Sequence, residues 1–214
     1  MLKLLTNNRS PYGKRVLLCA AEIGVSLEIH STEPNSKKIL EHNPLGKIPV
    51  LYDRNTEESL AGSTYIIRHL HLITPGSTLI PESPRQAMSN AYLESISEGI
   101  IEAILLLVYE EKFRQNEGQF NSSWSNHLRL KITRGLDWLT SQTLIININH
   151  NSGATSGQIT AAVAVGYAWI KSEFFNLPIP LALQNWFKIY ATQKPHTQAF
   201  FPKEWITRVV GSSC

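Results

Sequence analysis

Cysteine is scarce in this chain: among 214 residues only Cys19 and Cys214 occur. Two thiols so far apart, one of them at the very end, do not make a disulfide framework, which points to a reducing, cytoplasmic setting. Long apolar runs are also missing. The longest, around 99–108 and 159–170, fall well short of the roughly 20 residues a membrane span needs. The opening MLKLLTNN is apolar for too few residues to be a signal peptide, so no membrane association is expected. Basic residues are present but never clustered. The net charge is +3, and Lys14, Arg15, Lys37, Lys38, Lys47, Arg129, Lys131 and Arg134 lie scattered, which argues against a nucleic-acid footprint. There is no Cys/His/Asp group at metal-ligand spacing, and His69 and His71, two apart on a helix, cannot face one ligand. No metal is therefore expected. With 43% hydrophobic and 17% charged residues, the remaining composition is that of an ordinary globular chain rather than a disordered one.

What is there falls into two halves. Residues 2–5 suit a short strand, and Ser10-Pro11 marks a helix start, with Ser at the N-cap and Pro where its missing N–H costs nothing. The helix carries Val16, Leu17, Ala20, Ala21 and Ile23 and stops at Gly24. Residues 25–30 alternate as a half-buried strand should. Strand, helix, strand implies a parallel pair with a right-handed crossover. A short helix is expected around 34–41, then Ile48-Pro49-Val50-Leu51-Tyr52. A proline within a strand removes a ladder donor; the conflict resolves if Pro49 stands at the strand's first residue or an edge, with a cis bond as one arrangement. The turn at 53–56 and the strand 59–61 complete a hairpin, and Gly62-Ser63 cap a helix with Ile66, Ile67 and Leu70 on its apolar face.

Residues 74–84 hold three prolines and read as a linker. Beyond them strand signals stop. Helical patterns cover 84–116, 123–143, 156–173 and 179–193, with stripes at Ile96, Ile100, Ile104, Val108 and at Leu128, Ile132, Leu136, Leu139. The segment 159–170 is apolar on every side and is expected at the centre of its half. Thr155-x-x-Gln158 ahead of it fits a capping box. The Asn-rich 147–153 reads as a surface loop, Trp124, Trp138, Trp169 and Trp186 as packing, and Cys19 as a core residue. The expected organisation is a β-α-β-α-β-β-α domain over 1–74 and an all-helical domain over 84–214.

This order, with three local motifs, resembles the cytosolic glutathione S-transferase family, and bacterial transferase-like proteins most. Ser10-Pro11-Tyr12 looks like the serine-type opening. Asn43-Pro44-Leu45-Gly46-Lys47-Ile48-Pro49-Val50-Leu51 is similar to the family's Asn-Pro-x-Gly-Lys-Val/Ile-Pro-x-Leu segment, and Ser63-x-x-Ile66-Ile67-x-x-Leu70 to the helix that follows. The resemblance implies a thioredoxin-like N-terminal domain (βαβαββα) followed by an all-helical C-terminal domain, glutathione as co-substrate and a homodimer. Two positions depart from the family pattern. Gly62 stands where the family places an acidic residue or Gln against the glutamyl ammonium, and Gln158 where it usually has the capping-box aspartate.

The resemblance makes Ser10 the candidate catalytic residue. A free thiol ionises near about 8.5, and only the thiolate attacks. Lowering that value by two units takes about 2.7 kcal/mol of preferential thiolate binding. One hydroxyl bonded to the anion supplies roughly 1.5–3 kcal/mol, and the helix N-terminus about 0.3–1 kcal/mol. The bland alternative is a serine that only caps its own helix. A serine here cannot form the mixed disulfides a cysteine would, so conjugation or peroxide reduction through glutathione's own thiolate is favoured over thiol–disulfide exchange. Lys47, Ile48, Pro49, Val50, Gly62 and Ser63 are the candidate glutathione residues. Lys47 would take the glycyl carboxylate unless it is a solvated lysine, with His42 a weaker candidate beside it. With a cis Pro49, Val50 would pair strand-like with the cysteinyl unit, and Ser63 would hold the glutamyl carboxylate unless it is a plain N-cap. Tyr12, Leu105 and Tyr109 are the candidates for the pocket of a small electrophile between the domains. The competing reading is a non-catalytic interaction protein on the same scaffold.

Overall fold

The structure, a computed structural model, describes residues 1–114, 122–142 and 153–210. Four short strands form one mixed sheet in the order β2-β1-β3-β4. β1 (Leu2–Thr6) runs parallel to β2 (Glu28–Ser31), while β3 (Val50–Asp53) is antiparallel to both β1 and β4 (Ser59–Ala61). Both the crossover pair and the hairpin expected from the sequence are present. Successive β1 residues serve opposite faces: Leu4 packs with α1 (Pro11–Glu22) and α3 (Ser63–Ile73) in the main core, while Leu5 meets Ile39 of α2 (Lys37–Leu40) and Val50. β2 starts three residues later than its alternation suggests. Gly24, at φ 71°, ends α1 in a Schellman motif, and the Val25 N–H is held by the Ala20 carbonyl at 2.8 Å, so the chain is still tied to the helix there.

The helical half consists of α4 (Pro84–Arg114), α5 (Ser122–Gln142), α6 (Ser156–Phe175), α7 (Leu181–Gln193) and α8 (Lys203–Val210). α6 is buried around nearly its whole circumference and carries the Thr155/Gln158 capping box. Leu128, Ile132, Leu136 and Leu139 are fully buried, as their spacing requires. On α4 only Ile100 and Ile104 of the expected stripe are fully inside; Ile101, Ala103 and Leu107 complete it, and Ile96 and Val108 flank it. The proline-rich 74–84 segment is no loose tether: Leu79 is fully buried, and its carbonyl accepts from Ser156 N at 2.8 Å. The two halves share one hydrophobic core, in which Leu4, Val16 and Ile66 join Ile100, Ile159 and Phe187. Most of the Asn-rich loop at 147–153 and Cys214 lie outside the described residues.

The short 3-10 turn Pro195–Phe200 and α8 were not legible in the sequence. Aromatic rings fasten them: Trp205 meets Trp169, Phe187 and Phe201 at centroid distances of 5.7, 5.4 and 5.5 Å. Trp124, by contrast, is exposed and stacks on His127, so its place in the pattern is not a core one. Gly166 lets the Phe201 ring close on α6, since a Cβ there would stand 2.5 Å from Phe201 Cε1 and 2.9 Å from Phe187 Cε2. Gly166→Ala should therefore overpack this cluster and lower unfolding free energy by about 1–3 kcal/mol in urea titration; an unchanged midpoint would contradict the fastening role.

Candidate functional site

Strand register brings the three motifs to one end of the sheet. Leu5, near the end of β1, lies opposite Val50 at the start of β3, and Val50 lies opposite Ala61 at the end of β4. The chain leaves β1 toward Ser10, enters β3 from Pro49 and leaves β4 into Gly62-Ser63. The Ile48–Pro49 bond is cis. The Pro49 carbonyl accepts from Gly62 N at 3.4 Å, which joins two of the motifs directly. Pro49 and Val50 are buried, Ile48 is half-buried and Lys47 is exposed. The loop before them is braced by Asn43, which donates to the Lys47 carbonyl at 2.8 Å and accepts from Leu45 N at 3.1 Å. His42 turns elsewhere, bonding Ser59 at 2.8 Å and packing on Tyr52.

Ser10 is set by the turn that precedes it. Asn7 Oδ1 accepts from Arg9 N at 3.1 Å and Ser10 N at 3.0 Å, and its amide donates to Glu33 at 3.2 Å. Ser10 is the N-cap of α1, its Oγ accepting from Gly13 N at 3.0 Å. That bond uses a lone pair and leaves the hydroxyl proton; among the described residues no acceptor takes it. Capping and donation to an anion are thus compatible at this atom. The hydroxyl is held in place by the cap and sits where the dipole of α1 favours negative charge.

Lys14 follows on the same helix and is buried, with its ammonium bonded to the Asn8 carbonyl. Burial pulls its pKa down from 10.5 to about 8. A lysine depressed on folding holds fewer protons in the native state than in the unfolded one between those values, so stability should rise as pH climbs from about 8 to 10.5. Lys14→Met should abolish that rise, which pH-dependent urea titrations would detect; a rise that persists would place its origin elsewhere.

The start of α3 falls at Gly62-Ser63 as expected, and the plain-cap alternative for Ser63 does not hold. Gly62, at φ 91°, is the N-cap of α3, and Ser63 is its first helical residue, with no side-chain cap. Ser63 Oγ instead accepts from Arg15 Nη1 at 3.3 Å. Arg15 has no exposed side-chain surface and pairs with Glu94 and Glu98 of α4. It also donates to Thr64 Oγ1 at 3.4 Å, whose hydroxyl donates to Glu98 at 2.5 Å. Glu94 in turn accepts from Ser156 at 3.3 Å. This network runs from the first helix to the start of α6. Sequence reading missed it because Arg15 and Glu94 stand 79 residues apart, beyond any local period.

Tyr12 lines a cavity of about 470 Å3 against α4, together with Ser95, Glu98, Gly99 and Glu102. Leu105 is half-buried and lies outside that lining, while Tyr109 is exposed and packs on Phe113. Burial, reinforced by Glu102, Tyr167 and Tyr109 and opposed by Arg15, pushes the Tyr12 phenol up to about 12. Tyr167, buried beside Tyr109, is likewise pushed up to about 12. Neither phenol ionises near neutral pH. Cys19 is fully buried and its thiol is pushed up by burial, which leaves it inert. Among the described residues no His/Cys/Asp/Glu group could hold a metal, and no helix is long and apolar enough to cross a membrane.

A thioredoxin-like sheet domain with a serine at its first helix, a cis-proline strand entry and a following helical domain define the class of fold. Residues 4–78 match the family model of the glutathione S-transferase N-terminal domain. An uncharacterized GST-like protein of Escherichia coli K12, YibF, is 27% identical over 170 residues, covering 78% of this chain and 81% of its own. A glutathione transferase family member from Pseudomonas fluorescens Pf-5, solved with bound glutathione, is 26% identical with a TM-score of 0.83, over 94% of this chain and 99% of that one. A glutathione S-transferase from Methylobacillus flagellatus KT, also solved with glutathione, shares the fold at 24% identity and a TM-score of 0.78, over 92% and 98%.

Proposed function

We propose that this chain is a cytoplasmic glutathione transferase-like enzyme in which Ser10 stabilises the thiolate of glutathione for attack on a small electrophile or peroxide. The observation that carries the reading is the Ser10 hydroxyl, fixed through its lone pair to Gly13 N with its proton left for an anion. It stands at the same end of the sheet as cis-Pro49, Val50 and Gly62-Ser63. The glutathione bound by the Pseudomonas relative supports the same ligand here. In this reading Val50 pairs with the cysteinyl backbone, Ser63 and the α3 N-terminus take the glutamyl carboxylate, and exposed Lys47 takes the glycyl carboxylate. Arg15 is a positioning residue that acts through the Ser63 hydroxyl. The sheet domain over 1–74 holds the tripeptide, and the helical domain over 84–214 completes the acceptor site.

Two copies would pair with the linker side of one sheet domain against the first helices of the other; Leu72, Ile73, Met88 and Tyr92 leave exposed apolar surface flanking that linker. The absence of an acidic side chain at Gly62 favours the second reading, a non-catalytic binding protein on this scaffold. Glutathione-dependent turnover of benzyl halides and of an organic hydroperoxide separates the two. Turnover above the uncatalysed rate with either supports the enzyme; none with both supports the binding protein.

A further inference from the structure

The cavity beside Tyr12 is not the apolar pocket that would suit a greasy electrophile. Two carboxylates, Glu98 and Glu102, line it from positions one helical turn apart on α4. Glu98 is engaged by Arg15 and Thr64. Glu102 is exposed to the cavity, and among the described residues it has no ion pair. Arg15 is the cation behind this wall, and it is shared between Glu94 and Glu98. Of the groups named, one guanidinium stands against three carboxylates, Glu94 behind the lining and Glu98 and Glu102 in it, so the cluster is net negative. Tyr12 lines the cavity, and Tyr109 and Tyr167 lie within electrostatic reach of its phenol. Tyrosine faces attract cations, and desolvated ammonium groups most strongly.

We infer that this cavity is an acceptor subsite for a cationic electrophile, with Glu102 holding an ammonium group of the substrate against the Tyr12 ring. The inference rests on the transferase reading above and adds the substrate class. With a benzyl halide as the example, glutathione's sulfur forms a bond to the benzylic carbon while the carbon–halogen bond breaks. The halide leaves with the bonding pair, and the thiol proton is released to solvent when the thiolate forms. The ammonium group takes no part in the bond changes; it fixes the carbon toward the sulfur.

A pair of compounds of equal shape isolates the charge. 4-(Trimethylammonio)benzyl chloride and 4-tert-butylbenzyl chloride differ only in N+ against C, as do the corresponding unreactive benzyl alcohols. Titration of the full chain with the alcohols should show saturable binding of the cation and about tenfold weaker binding of the neutral compound. Glu102→Gln, at an exposed position, should weaken the cation about tenfold while leaving glutathione affinity within about twofold. The chlorides should show the same preference in kcat/KM once each is divided by its uncatalysed rate. Equal binding of both alcohols, or no saturable binding of the cation, would overturn the inference. So would a tenfold loss of glutathione affinity in Glu102→Gln, because the carboxylate would then serve the tripeptide's own ammonium. Failure of the transferase reading is seen separately, in the glutathione titration of the unaltered chain. A chain that binds the cation but no glutathione has no acceptor subsite, and both readings fall.

Discussion

Ser10→Ala is expected to bind glutathione and to leave its thiol protonated near neutral pH. The lost interaction is a hydrogen bond to a charged group, about 1.5–3 kcal/mol, so the bound thiol's pKa should rise by about 1–2 units. Thiolate absorbance during a pH titration of the complex reads that shift directly. At pH 7 kcat/KM should fall about 10–100-fold, with most of the loss recovered at high pH, where the thiol ionises unaided. Ser10→Thr keeps a hydroxyl at the cap and should retain most of the rate. The cap itself matters less to the count: replacing the N-cap by alanine costs about 1 kcal/mol of stability, which cannot move a thiol pKa. If Ser10→Ala leaves both the thiolate absorbance and the rate unchanged, the serine is only a helix cap.

Arg15→Met should produce the largest loss of stability in the chain. The guanidinium is fully enclosed and offsets carboxylates on the other half of the molecule. Removing it leaves Glu94 buried and Glu98 half-buried without their cation, and breaking such a pair costs about 3–5 kcal/mol. Urea unfolding should show that drop. Adding Glu94→Gln and Glu98→Gln to Arg15→Met removes the stranded charges and should restore much of it, because well-packed neutral groups replace ion pairs at little cost. A cost below about 1 kcal/mol for Arg15→Met would mean the pairs are solvated as surface pairs are. The restored triple variant also isolates the positioning role. If Arg15 orients the Ser63 hydroxyl, that variant should still bind glutathione more weakly; unchanged affinity would leave Arg15 a structural tie alone.

Much of the fold could be read locally because local chemistry decides it. Ser10-Pro11 caps α1, the Schellman turn at Gly24 ends it, and the Leu128/Ile132/Leu136/Leu139 stripe sets the buried face of α5. The capping box at Thr155 and Gln158 is likewise a four-residue event. The motif ends of β1, β3 and β4 were legible as residues, and strand register then brought them together. What escaped was decided at a distance. The helix start at Gly62-Ser63 was legible, but whether Ser63 is its plain cap was not: a partner 48 residues away, Arg15, donates to its hydroxyl, and Gly62, at positive φ, takes the cap position. Arg15 itself looked like one scattered cation among several. The acidic lining of the Tyr12 cavity has no sequence signature, since Glu98 and Glu102 on their own suit any solvated helix face. The closing turn and α8 depend on rings from two other helices, Trp169 of α6 and Phe187 of α7, so no period within 195–210 announces them.

The central claim is that this chain holds glutathione at the end of the sheet shared by Ser10, cis-Pro49 and Ser63. Calorimetric titration of the purified protein with reduced glutathione tests it most directly. The account predicts one saturable site per chain with affinity in the micromolar to low-millimolar range, weakened by Ser63→Ala. Absence of binding at several millimolar glutathione would contradict it, and with it the role of Ser10 in thiolate chemistry.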